Sequence, residues 1–382
     1  MKDFSFTTTP KIVFENGATK RLGDIVSPRM KRPIFLTDKG LIATGLVAPA
    51  LESLKAADLD VRLYDSVEAD PPVGRVRDAI KAGQDHDADG VIAMGGGSSL
   101  DTAKLVAVLM RSAQSLPDIY GIGNVRGHRI PLVLAPTTAG TGSEVTPISV
   151  VTTETDEKVG ISDDALFPDI AILDPSTTLG LPRPVTAATG IDAMVHAIEA
   201  YTNIHKKNAV SDALAHEALR LLSSNIVTAC ETPGDIDARS KMLLGSMLAG
   251  QAFANSPVGA VHALAYPLTG LFHVPHGLAN SLMLEPVLKF NALEAAPLYA
   301  ELGTSIGAEA SGSEEARSSA FIDRMMDLVA ATGVERRLTG VGVSHNDLPK
   351  VAEDAMKVQR LLVNNPRDIT YDDALKMYTE VL

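Results

Sequence analysis

Gly90-Val91-Ile92-Ala93-Met94-Gly95-Gly96-Gly97-Ser98-Ser99-Leu100-Asp101-Thr102-Ala103-Lys104 carries the chain from an apolar run, across consecutive glycines, into a helix-forming run. A short apolar run before glycines reads as a strand, and the stretch after them as a helix. Glycines in such a turn let backbone N–H groups approach an anionic ligand, and the helix N-terminus adds partial positive charge. Ser98 and Asp101 stand three apart, the spacing of a capping box. A tight βα turn with a capped helix explains the same residues, but strand–loop–helix context favours a nucleotide phosphate. The loop is neither GxGxxG nor GxxxxGK[ST], so the expected binding geometry is a variant one.

Working outward, Pro33–Thr37, Val61–Tyr64 and Ile130–Ala135 are further apolar runs. The runs that start at Pro33, Val61 and Gly90 begin roughly 30 residues apart, the length of one βαβ unit. Helix-spaced apolar residues fill Leu41–Ala57 and Val73–Gln84 between them. Continuous apolar strands alternating with helices predict a parallel sheet covered on both faces, a Rossmann-like arrangement. Two more strand-like runs, Ile148–Thr153 and Ile170–Asp174, precede Leu179-Gly180-Leu181-Pro182-Arg183-Pro184. Beyond it the periodicity is helical, over Gly190–Tyr201, Ser211–Ala229, Arg239–Ala254, Val261–Leu271 and Ala316–Ala331. The expected boundary therefore falls near Pro182–Pro184, with an α/β domain over 1–182 and an all-α domain over 183–382.

The chain has 382 residues, 45% hydrophobic and 21% charged, which excludes disorder, collagen and coiled coil as its main class. Its net charge of −13 argues against nucleic acid as a partner. The single Cys230 excludes a disulfide framework and a multi-cysteine zinc site. Met1-Lys2-Asp3-Phe4 shows no secretory h-region, and polar residues interrupt Val91–Met110, so the expectation is a cytoplasmic protein with no membrane span.

A second small-residue loop, Pro136-Thr137-Thr138-Ala139-Gly140-Thr141-Gly142-Ser143-Glu144, leaves the Ile130–Ala135 strand where ligands sit in open α/β sheets. Its hydroxyls suit ribose, phosphate or a carboxamide, or an ordinary polar turn. Asp38, after the first strand, can accept from a ribose hydroxyl or cap a helix. In the helical half, Asp192 and His196 are i, i+4, which stacks a carboxylate and an imidazole on one helix face. His262, His273 and His276 follow within apolar sequence, where an imidazole needs a partner. One Asp with two or three His forms a plausible divalent-metal site, although each residue alone fits a surface pair or a core histidine. No Tyr is followed four residues later by Lys, and no GxSxG occurs, which removes other common chemistries.

GGGSSLDTAK at 95–104, PTTAGTGSEVT at 136–146, AATGIDAMVHAIEAY at 187–201 and VHALAYPLTGLFHVPHGLAN at 261–280 resemble the iron-containing (group III) alcohol dehydrogenase family, end to end. The resemblance implies a dehydroquinate synthase-like fold: an N-terminal Rossmann-like dinucleotide-binding domain over 1–182 and a helical metal- and substrate-binding domain over 183–382. It implies Asp192, His196, His262 and His276 as metal ligands. It implies Asp38, Gly96, Gly97, Ser98, Asp101, Thr137, Thr138, Thr141, Ser143 and Lys158 as cofactor-binding positions. Fe²⁺ is the implied metal, with Zn²⁺ favoured by intrinsic affinity, and NAD the implied cofactor, since an acid at Asp38 repels a 2′-phosphate. Two positions depart from the family pattern. Tyr266 stands where some members have a proton-transferring histidine, and Asp70 where relatives have Asn. His273 and Tyr266 are the expected relay candidates.

The expected activity is reversible, NAD-linked oxidation of an alcohol to an aldehyde or ketone, by a homo-oligomer that is a dimer or larger. Phe253, Leu268 and Phe272 suggest an apolar lining suited to short or medium primary alcohols. One alternative is a hydroxyacid–oxoacid transhydrogenase with tightly held NAD, for which Arg367 is the available cation; another is a non-catalytic nucleotide sensor.

Overall fold

The computed structural model describes residues 3–155, 157–308 and 311–382; Met1 and Lys2, which open the expected leaderless N-terminus, lie outside them. The chain divides into two compact units, one made of Thr8–Thr138 and Gly142–Leu179, the other of Gly180–Leu382 with Ala139–Thr141 and the described residues up to Thr7.

In the α/β unit the elements run β1 (Lys11–Phe14), α1 (Leu22–Val26), β2 (Pro33–Leu36), α2 (Lys39–Ala43), α3 (Ala48–Ala56), β3 (Arg62–Tyr64), α4 (Val73–Asp85), β4 (Gly90–Gly95) and α5 (Gly97–Leu109). They continue with β5 (Gly121–Ile122), β6 (Leu132–Pro136), β7 (Ile148–Thr152), β8 (Lys158–Ser162) and β9 (Ile170–Leu173). A parallel sheet has the order β1-β9-β6-β4-β2-β3. Every residue of β2, β4, β6 and β9 is buried, as a sheet covered on both faces requires. The period of two sorts their side chains. Phe35, Ile92, Met94 and Val133 pack with Leu22, Val26 and Leu54 from α1 and α3. Ile34, Leu36, Val91 and Leu134 pack with Ala79, Leu100 and Val106 from α4 and α5 on the other face. Because β3 and β4 flank β2, the winding direction reverses between β2 and β4, and their carboxyl ends form the topological switch point where ligands bind in such sheets.

One local expectation is corrected. The single helix expected over Leu41–Ala57 is broken into α2 and α3, with Gly45 between them at φ 76°, a left-handed conformation that ends the first helix. The segment around Lys158, with no apolar run to mark it, is strand β8, antiparallel to β7 and parallel to β5 in a separate sheet.

The second unit is helical throughout its described residues: α6 (Arg183–Thr202), α7 (Ala209–Glu231), α8 (Ile236–Asn255), α9 (Ala260–Phe272), α10 (His276–Gly303), α11 (Glu314–Thr332), α12 (Leu348–Met356), α13 (Gln359–Leu362) and α14 (Tyr371–Glu380). Local chemistry sets the ends. Pro184 sits in the first turn of α6, Asn208 and Asp235 cap α7 and α8, and Gly333 closes α11 in a left-handed conformation. From Gly190 to Thr202 every residue of α6 is buried, so α6 is the unit's central helix. Buried Arg239 ties the entry to α6, donating to Thr186 Oγ1 (2.7 Å) and to the Leu181 (3.3 Å) and Pro233 (3.1 Å) carbonyls. No helix among the described residues is long and apolar enough to cross a membrane.

Candidate metal centre and glycine-loop groove

The helical unit brings Asp192, His196, His262 and His276 together, with one ligand atom from each lying within 4.8 Å of the others. Asp192 and His196 share a face of α6, His262 comes from the first turn of α9, and His276 is the first residue of α10. Close backbone approach makes this possible. A Cβ on Gly277 would stand 2.5 Å from the Ala188 carbonyl oxygen, so only glycine lets the start of α10 lie this near α6. The Nε2 atoms of His262, His276 and His196 lie 3.7, 3.8 and 3.9 Å from Asp192 Oδ1. Donors around a tetrahedral ion with bonds of about 2.1 Å are spaced about 3.4 Å apart, so a shift of a few tenths of an ångström would close this set on a cation.

The surroundings of the four residues fit a cation. Glu199, one turn beyond His196 on α6, accepts from His262 Nδ1 (2.6 Å) and from the Val261 N–H (2.6 Å). His262 Nε2 is buried without a hydrogen-bond partner. A ring whose Nδ1–H is donated to a carboxylate turns a bare lone pair inward at Nε2, the state a metal requires. The Asn280 amide donates to Asp192 Oδ1 (2.5 Å), and the Phe253 ring stacks on His196 at 4.3 Å. Burial opposes ionisation of Asp192, yet the three imidazoles and Asn280 hold its carboxyl below the ordinary value. Burial drives His196 down to about 3, against the pull of Asp192, so it presents a neutral imidazole. Three imidazole nitrogens and one carboxylate oxygen suit Fe, Zn or Ni rather than Mg or Ca. Sequence reasoning does not single out Glu199 or Asn280; their only signal is a polar side chain inside an apolar helical run.

Of the relay candidates, Tyr266 has its ring 6.2 Å from that of His276, and its hydroxyl accepts from Arg360 (3.2 Å). His273 ends α9 at φ 54°, and its exposed side chain makes no hydrogen bond or ring contact with the cluster among the described residues. Leu268 is fully buried and belongs to the core. Arg367, the cation a transhydrogenase would use, lies over the Phe290 ring (3.8 Å) and donates to the Phe290 carbonyl.

In the α/β unit a groove of about 580 Å³ opens at the switch point, lined by Asp38, Asp65, Glu68, Arg75 and Gly96–Ser99. The expected capping box is absent: Gly96 is the N-cap of α5 and makes no side-chain cap. Ser98 Oγ instead accepts from the Asp70 N–H (3.2 Å), and Asp101 accepts from Ser143 Oγ (2.6 Å) and the Val150 N–H (2.9 Å). Asp38 caps α2 through the Leu41 N–H (2.8 Å) while lining the groove. Thr137 is held by its N–H to the Gly95 carbonyl (2.9 Å), and Thr138 packs close to Gly96. Lys158 pairs with Asp70 at 2.6 Å, which links it through Asp70 to Ser98. Thr141 belongs to the short segment that packs with the helical unit, where a Cβ on Gly140 would overlap Thr189. Lys104, which the sequence does not flag, is fully buried and donates to Ser143 Oγ (2.8 Å), Thr146 Oγ1 (3.2 Å) and the Ile148 carbonyl (2.6 Å), fastening α5 to the second loop.

Residues 9–175 match the family described as iron-containing alcohol dehydrogenase, and residues 186–382 match the C-terminal part of the Fe-containing alcohol dehydrogenase family. The chain belongs to the iron-containing alcohol dehydrogenase family. It is 38% identical to long-chain-alcohol dehydrogenase 1 of Geobacillus thermodenitrificans, over 94% of this chain and 90% of that protein. The crystal structure of a 1,3-propanediol oxidoreductase superposes with a TM-score of 0.97 at 32% identity, covering 100% of both chains. The sulfoacetaldehyde reductase of Bifidobacterium kashiwanohense, solved in complex with NAD⁺, superposes at 0.90 with 28% identity, covering 100% of this chain and 99% of that one. The protein is thus an NAD-linked oxidoreductase of this family, with its characteristic fold. No support for a transhydrogenase emerges from these relatives or from the placement of Arg367.

Proposed function

We propose that Asp192, His196, His262 and His276 hold one divalent cation, Fe²⁺ with Zn²⁺ able to take the same donors, and that the enzyme interconverts short or medium primary alcohols and their aldehydes. The observation that carries this reading is the buried, partnerless Nε2 of His262 facing Asp192 Oδ1. When bound, the cation supplies Lewis-acid polarisation of the substrate oxygen, and NAD supplies the hydride acceptor. The chain's own residues do the rest. Asp192 and the three imidazoles orient the site, and the Phe253 ring shields one side of it from water. Tyr266, whose ring lies 6.2 Å from that of His276 and whose hydroxyl accepts from Arg360, is one candidate to carry the alcohol proton outward, and exposed His273 is the other. Relatives named for long-chain alcohols, 1,3-propanediol and sulfoacetaldehyde span a wide range of size, and the apolar Phe253 wall favours uncharged substrates.

NAD is assigned to the α/β unit. Backbone N–H groups at Gly96, Gly97 and Ser98 take the pyrophosphate at the start of α5. Asp38 accepts from the adenosine ribose and repels a 2′-phosphate. Asp101, Thr137, Thr138, Thr141, Ser143 and Lys158 complete the cofactor positions, Asp101 and Ser143 by shaping the loops. We divide the roles between residues 1–182 and 183–382, and place the enzyme in the cytoplasm as a homodimer or larger assembly, which sedimentation would check. The deciding experiment strips metal with a chelator, restores Fe²⁺ or Zn²⁺ anaerobically, and follows NADH formation across a panel of primary alcohols. Turnover restored by metal and absent in His262→Ala is expected; metal-independent turnover would overturn the assignment.

A further inference from the structure

Resting on the metal-site reading above, we infer that Glu199 is the positioning residue that makes the site bind a dication: it locks the His262 tautomer and supplies the second of two buried negative charges.

The geometry is specific. One carboxylate from α6 reaches across to α9 and uses both oxygens there. Its Oε1 takes the Val261 N–H at 2.6 Å and its Oε2 takes His262 Nδ1 at 2.6 Å. The first bond anchors an anion at the N-terminal turn of α9, where helix N–H groups lack intrahelical partners and the dipole favours negative charge. The second dictates which ring nitrogen carries the proton. With Nδ1–H donated to Glu199, Nε2 can only accept, and Nε2 is the buried atom that finds no donor. A tautomer with the proton on Nε2 would set Nδ1 against a carboxylate, lone pair to lone pair, and leave a buried N–H unmet.

Charge completes the argument. Asp192 and Glu199 are both buried, and neither makes an ion pair with a lysine or arginine among the described residues. Buried carboxylates with no compensating cation are costly. Imidazoles coordinate a metal in their neutral form, so the rings do not offset them once an ion is bound. A single divalent ion between Asp192 and the rings brings the local sum to zero, whereas a monovalent ion would leave a deficit. Glu199 therefore acts through His262 on the affinity of the centre, without touching the substrate.

The test uses chelator-stripped full-length protein and Co²⁺ as the probe, read by its d–d absorption, with apo melting temperature measured in parallel. Glu199→Gln keeps an acceptor for the Val261 N–H while removing the charge and the obligatory tautomer. It should weaken Co²⁺ binding about 10- to 100-fold, fail to regain the wild-type spectrum at saturation, and leave the apo melting temperature within a few degrees. Wild-type affinity and spectrum in Glu199→Gln would overturn the inference while the metal site stands. Co²⁺ binding by His262→Ala at wild-type strength would overturn the site and the inference together. Should Glu199→Gln fold poorly, ¹⁵N imidazole shifts of His262 in the wild-type apo protein decide: Nδ1–H supports the assignment, Nε2–H refutes it.

Discussion

The glycine-loop groove and the four-residue cluster are built on opposite principles. At the groove, side chains with chemical potential are already engaged with each other: Ser143 with Asp101 and Lys104, Ser98 with the Asp70 N–H, Lys158 with Asp70. The first amides of α5, at Gly97 and Ser98, precede the bonds that Ser99 and Leu100 make to the Gly96 carbonyl and are the groups assigned to an anion. At the cluster the converse holds, since the backbone is consumed by α6, α9 and α10, and side-chain donors are left facing one another. Recognition by backbone tolerates loss of any one side chain, whereas coordination does not. Mutations at the two places should therefore differ in kind as well as size.

The largest effect is expected from His262→Ala. Losing one of four donors, together with its Glu199 anchor, should lower kcat/KM by at least about 10³-fold, equivalent to about 4 kcal/mol. Far-ultraviolet circular dichroism and the affinity for NAD should stay close to wild type. A parallel loss of NAD affinity would break the separation between the two regions.

Next in size is the buried Lys104. Burial lowers its ammonium to about 8 from an ordinary 10.5, with Asp101 and Glu144 opposing. Between those values the unfolded chain binds more protons than the native one, so stability contributed by this group rises with pH across the window from about 8 to 10.5. Glu144 has the opposite sense. Burial raises it to about 7 from 4.5, so the native state binds the extra proton and stability falls as pH rises through that window. At about 1.4 kcal/mol per pKa unit, the Lys104 limb amounts to at most about 3 kcal/mol. Lys104→Met should flatten the alkaline limb of a melting-temperature profile and Glu144→Gln the acid limb. Unchanged limbs would mean that other groups govern them.

The same contrast explains what could be read from residues alone. Strands β2, β4, β6 and β9 announce themselves because all their positions are buried, and glycines mark the turn into α5. Strands β1 and β8 do not, since they are short and only partly buried. Helix α10 hides behind Pro286 and Pro297, which usually signal an ending. In the cluster, the i, i+4 pair in α6 is a local pattern, but the approach of α9 and α10 is tertiary: the residues alone offer His262, His273 and His276 alike, and only resemblance to a family selects His262 and His276. Glu199 and Asn280 act across helices and leave no mark in spacing. The capping-box motif at Ser98 misleads for a physical reason: the helix is capped two residues earlier, at Gly96, and Ser98 turns to Asp70 instead.

A middle-sized effect belongs to the loop's backbone. A Cβ on Gly95 would overlap Ser99 Oγ at 2.5 Å, displacing the first turn of α5 whose amides are assigned to the pyrophosphate. Gly95→Ala should raise the Kd for NAD about tenfold, or about 1.4 kcal/mol, by isothermal titration, while Co²⁺ binding at the cluster is unaffected. Equal loss of metal affinity would show that the change unfolds more than the loop.

The smallest effect, and the sharpest discriminator, is Ser98→Ala. The hydroxyl accepts one bond from the Asp70 N–H at 3.2 Å, in a part of the groove open to water. Water can replace that acceptor, so the loss should be about 0.5–1 kcal/mol, a two- to fivefold weakening of NAD binding. The Ser98 amide, which remains, is the group assigned to the phosphate. If the alanine variant instead lost NAD affinity a hundredfold, the hydroxyl would be the principal contact, and the groove would work by side-chain recognition as the cluster does. A small change alongside a tenfold loss at Gly95 fixes the order the backbone argument demands: the peptide's path outweighs any single side chain it carries.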